Sequence, residues 1–160
     1  MRKLLILFLI LSMLLGGCGS SDIRVEISEI LRTGVSTGEI LTEMDTHGGF
    51  HGDGENYVVL QFPDADSFQI PESGFWHELP LSDNLHTFLY EYTHYTQVWD
   101  AVGGELIPRI ESGYYFFYDR NSDNLSHFGD EELLSRGSYN FILAVYDPAN
   151  LTLYYYELDT

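Results

Sequence analysis

A chain of 160 residues with 7 basic and 25 acidic side chains, 15% aromatics and one cysteine has room for a single domain of modest size. A formal net charge of −18 argues against nucleic-acid binding, because a phosphate backbone is gripped by Lys and Arg. One cysteine rules out an internal disulfide and a thiolate zinc cluster.

In chain order the first element is an address. Met1-Arg2-Lys3 is a cationic start, Leu4 to Leu15 is an apolar run of 12 residues, and Gly16-Gly17-Cys18-Gly19 follows at once. A helix crossing a bilayer needs roughly 20 apolar residues, so this run reads as the core of a signal peptide. Leu15-Gly16-Gly17-Cys18 resembles the lipobox of bacterial lipoprotein precursors. The resemblance implies cleavage before Cys18, a diacylglycerol on its sulfur, and acyl chains such as palmitate that hold the chain to the extracytoplasmic face of the cell membrane. Residues 1–17 are then a cleaved signal peptide, 18–21 a lipidated tether and 22–160 the single folded domain. After cleavage the Lys and Arg complement is Arg24, Arg32, Arg109, Arg120 and Arg136, with no lysine at all. Lysine Schiff bases, phosphate-loop lysines and lysine general bases are thereby excluded. So acidic a body is repelled by anionic lipid and wall polymer.

Ile23, Val25 and Ile27 alternate while Ile27, Ile30 and Leu31 have helical spacing, which predicts a strand passing into one turn of helix that Gly34 ends. Glu39 to Asp45 and Asn56 to Phe62 read as the two strands of a hairpin, with the glycine-dense stretch His47 to Glu55 as its long loop. A short helix is expected within Asp64 to Ile70, and Ser82 is a good N-cap for a helix over Asp83 to Glu91. Tyr92 to Arg109 has no clear pattern. Gly113 to Asp119 predicts a strand, and Asp130 to Arg136 a short helix with acids ahead of Leu133 and Leu134. Tyr139 to Tyr146 and Leu151 to Leu158 predict strands joined by Asp147-Pro148-Ala149-Asn150, the first central because apolar side chains occupy both of its faces. These elements make an α+β domain: an antiparallel or mixed sheet of about five strands under two or three short helices.

Two loops carry candidate chemistry. In the first, Asp45, His47, His51 and Asp53 are candidate ligands of a divalent metal, since glycines let a loop wrap an ion and imidazole with carboxylate suits zinc. The competing reading is a hairpin loop whose His and Asp side chains bond their own backbone. The second, Asp119 to Asp130, resembles an EF-hand calcium loop in ligand spacing, with Asp119, Asn121, Asp123 and Asp130 at the first, third, fifth and twelfth positions. It departs from that pattern at Asn124, where glycine is expected, and at Asp130, where a longer Glu is usual; a polar turn has the same composition. No catalytic residue stands out, because 25 acids form pairs by chance and the sequence lacks a nucleophile elbow, a phosphate loop and a dinucleotide fingerprint. Phe50, Trp76 and Trp99 are candidate binding aromatics.

Asp45 to Glu55 followed by Tyr57-Val58-Val59-Leu60-Gln61-Phe62, with Tyr139-Asn140-Phe141 and the segment Leu153 to Thr160, resembles uncharacterised small lipoproteins of Gram-positive bacteria. The resemblance implies a compartment and no activity. The expected function is a membrane-anchored, non-catalytic binding module in the cell envelope. Its partner would be a cationic peptide or an envelope protein, and the alternative is a metal-dependent hydrolase built on the His47–His51 loop.

Overall fold

The computed structural model describes residues 22–48, 52–72, 74–92, 96–121 and 127–160. Along the chain these form α1 (Ile23–Leu31), β1 (Glu39–Asp45), β2 (Gly54–Gln61), a single 3-10 turn (Ala65–Ser67), β3 (Trp76–Glu78), α2 (Asp83–Tyr90), α3 (Gln97–Val102), β4 (Tyr114–Asp119), β5 (Asn140–Asp147) and β6 (Thr152–Asp159). The strands make one six-stranded sheet in the order β1-β2-β6-β5-β4-β3, and every neighbouring pair is antiparallel. The domain is α+β as expected, with β3 as the additional strand. Three residues between a glycine and a proline are too few to show alternation, so β3 is visible only through its pairing of Trp76 with Phe116 and Glu78 with Tyr114.

The stretch expected to open as a strand is helical throughout. Asp22 caps α1 by accepting the Arg24 N–H at 3.0 Å, and Ile23, Ile27, Ile30 and Leu31 then line one face while Val25 stays exposed. The cap and the helical spacing outweigh the brief alternation. Arg32, rather than Gly34, occupies the left-handed position that ends the helix (φ 55°), with the Thr33 N–H reaching back to the Ser28 carbonyl at 3.2 Å. Asp130 to Arg136, expected as a helix, forms turns: the Leu133 and Ser135 N–H groups bond three residues back, to Asp130 and Glu132, and Asp130 also bonds Ser82 and Asn84.

The alternation in the central strands divides the core in two. Phe141, Leu143 and Val145 of β5 with Tyr156 and Leu158 of β6 pack under α2 and α3. Ile142, Ala144 and Tyr146 with Leu153 and Tyr155 pack under α1 on the other face. Both strands are buried on both faces, which is where burial at about 25 cal/mol per Å² of apolar surface acts most strongly.

Candidate functional site

The loop joining β1 to β2 begins on an interaction of neighbours. Asp45 Oδ1 accepts the backbone N–H of His47 at 2.8 Å and faces His47 Nδ1 at 2.8 Å. Partial burial works to raise the Asp45 carboxyl, and the two bonds from His47 outweigh it, leaving the carboxyl below its ordinary value. In that contact Nδ1 is the nitrogen turned to Asp45, and Nε2 lies outside it. The loop returns against the same histidine: a Cβ on Gly54 would stand 2.6 Å from both Cα and N of His47, so only glycine lets the two backbones meet there. The Thr46 hydroxyl accepts the Glu55 N–H at 2.8 Å and fixes the register of the loop's two ends. The structure brings Asp45 and His47 together and leaves Asp53 exposed nearby; His51 and Phe50 lie outside the described residues. Among the described residues no group of three or more His, Cys, Asp or Glu side chains is arranged to hold a metal ion.

Beside this loop a cavity of ≈ 320 Å³ is bounded by Thr46, Asp53, Glu55, Thr96 and Asp159. Glu55 is buried, and its carboxylate accepts the Thr96 hydroxyl at 2.7 Å, the Tyr156 hydroxyl at 2.6 Å and the Val98 N–H at 3.2 Å. Burial first, and the adjacent Glu55 second, push the Tyr156 phenol well above its ordinary range. Glu55 thus ties α3 to the sheet, using a carboxylate whose partners lie 41, 43 and 101 residues away. No local pattern announces such a role, which is why the sequence reading passed over it.

In the second loop the calcium spacing meets prior engagements. Asp119 is 2% exposed, with one oxygen 3.0 Å from the Asn121 N–H and the other 2.8 Å from Arg136 Nη1. The Asp130 carboxylate accepts the hydroxyl of Ser82, the N-cap of α2. Asn121 is exposed after β4, and Asp123 lies outside the described residues. A first ligand already neutralised by a guanidinium is a poor start for a cation site. Of the candidate aromatics, Trp76 is buried against Phe68 and Phe116, with ring centroids 5.7 and 5.8 Å away. Trp99 is partly buried in α3 and packs on the core of the opposite face. Both contribute mainly to packing.

No known protein family, curated protein or solved structure matches the chain. Among the described residues no helix is long and apolar enough to cross a membrane.

Proposed function

We propose that the chain is a lipoprotein, anchored through Cys18 to the extracytoplasmic face of a bacterial cell membrane, whose folded body binds a partner rather than catalysing a reaction. The observation that carries this reading is Leu15-Gly16-Gly17-Cys18 directly behind a basic start and a 12-residue apolar run. The position of α1 agrees with it. Asp22 already caps that helix, so only the four steps from Cys18 to Asp22 separate lipid from body, a span of at most about 14 Å. A body with 25 acidic side chains against five arginines, an excess of 20 negative charges, held at that distance, draws cationic peptides or basic protein surfaces toward it and repels anionic polymers.

Expression in a bacterium with labelled palmitate tests the anchor. The natural chain should take up label, partition into the detergent phase and begin at Cys18, and Cys18→Ser should lose all three properties. An intact mass showing a free thiol with residues 1–17 attached would overturn the reading.

The metal-dependent hydrolase on Asp45, His47, His51 and Asp53 is favoured by one observation, the Asp45–His47 contact. Carboxylates orient metal-bound imidazoles in this way, which would make Asp45 a supporting residue behind His47 and leave Nε2 for the ion. Stoichiometric zinc in protein purified without chelators, lost in His47→Ala, is the result that would favour it; calcium at Asp119, Asn121, Asp123 and Asp130 would appear as a rise in melting temperature at millimolar calcium.

A further inference from the structure

Between the C-terminal end of α1 and the β4 side of the sheet lies a cavity of ≈ 230 Å³. Tyr118, Phe128 and Ile142 supply apolar wall, while Arg32, Arg120 and Glu29 supply its charged groups. Two of the five arginines of residues 22–160 therefore meet at one cavity of a strongly acidic, lysine-free body. Arg120 is already engaged: its Nη1 bonds the Glu157 carboxylate and lies 3.4 Å from Asn140 Oδ1. Arg32 is not, for among the described residues no carboxylate pairs with it. Its guanidinium lies 4.5 Å from the centroid of the Phe75 ring. Phe75 in turn stacks on Phe128 at 4.3 Å with the rings 15° from parallel, so the cation rests on an aromatic wall that continues into the cavity.

The backbone at Arg32 sharpens the point. Its φ of 55° is the left-handed conformation that closes α1, a seat Gly or Asn takes without difficulty and a long side chain takes at a cost. Strain of this kind persists where the surrounding structure over-determines it, and it clusters at sites that bind.

We propose that this cavity binds a small apolar carboxylate, its hydrocarbon part against Tyr118, Phe128 and Ile142 and its carboxylate on Arg32, with the Arg120–Glu157 pair behind it. A space of ≈ 230 Å³ suits a small ligand, and 4-methylpentanoate, a short branched carboxylate, is a probe of that class. Glu29, on the same rim, opposes an anion and sets a limit on affinity. The inference rests on the reading of the body as a binding module, and it can fail while lipidation of Cys18 holds.

Titration calorimetry on the full chain in non-ionic detergent, with 4-methylpentanoate as probe, tests it. Saturable binding with a Kd on the order of 1 mM is expected, and 4-methylpentanamide, of equal shape but uncharged, should bind at least about tenfold more weakly. Arg32→Asn should weaken the acid about tenfold or more while leaving the melting temperature unchanged or higher, since Asn suits the left-handed seat. Glu29→Gln should tighten it a few-fold. No saturable heat, equal binding of acid and amide, or an Arg32→Asn protein that binds as the natural chain does would each overturn the proposal.

Discussion

The two hairpins that share β6's side of the sheet leave their first strands by the same device and then part. At the end of β5, Asp147 Oδ1 accepts the N–H groups of Ala149 at 2.9 Å and Asn150 at 3.3 Å, while Oδ2 accepts the Asn150 side-chain amide at 2.7 Å. At the end of β1, Asp45 does the same for the N–H of His47. Asp147 is buried and closes a turn over 148–151, whereas the side chain of Asp45 is 60% exposed and opens a loop over 46–53. Local bonding therefore consumes the short turn, whereas in the long loop it is seen, among the described residues, at Thr46 and His47. Among the described residues, His47 Nε2 and the exposed Asp53 take no part in that bonding.

The comparison can be broken most severely at Gly54. Gly54→Ala places a Cβ on the His47 backbone and should cost about 2–3 kcal/mol in urea unfolding, because neither strand end can withdraw without losing the Thr46–Glu55 register. A loss no larger than that of an ordinary surface substitution would mean that the long loop is not seated on β2. Asp147→Ala should cost about 1–2 kcal/mol by the same measurement, since it strips two N–H partners and a side-chain bond from a buried position. Asp45→Ala should cost less, about 0.5 kcal/mol, because its carboxylate is largely in water. Its signature lies in the pH profile. The folded carboxyl sits below its ordinary 3.8, so its stabilisation is complete above that pH and is lost as pH falls through the lower folded value. Urea midpoints recorded from pH 5 down to 2 should therefore fall less steeply in Asp45→Ala than in the natural chain.

The central strands were legible because each side chain of Tyr139 to Tyr146 reports its face by alternation, and Pro148 with Asn150 marks the turn. The helix at Asp83 was legible from Ser82, whose hydroxyl accepts the Leu85 N–H. What escaped was set from a distance. Ser82 also takes Asp130 as a partner, 48 residues away, and the segment after Asp130 forms turns in place of the expected helix. Glu55 reads as one acid among many and Asp119 as the first ligand of a calcium loop, yet their roles are written by Thr96, Tyr156 and Arg136. Of the loop reading, the Asp45–His47 half is visible, as a bond between neighbours; Arg32 went unnoticed because a residue's left-handed backbone leaves no trace in its identity.

The place of β6 has a consequence for how the chain can be made. Gly54 pairs with Asp159 and Gln61 with Thr152, so although α1 can already pack on the β1–β2 hairpin, β2 has no partner strand on its second edge until residues 152–159 have been synthesised. Until then the two halves of the sheet share no ladder, and β2 offers an open rim rich in Val and Tyr. Closure of the sheet is slow because it joins segments far apart in the chain, and the contacts that reward it come only after that entropy has been spent.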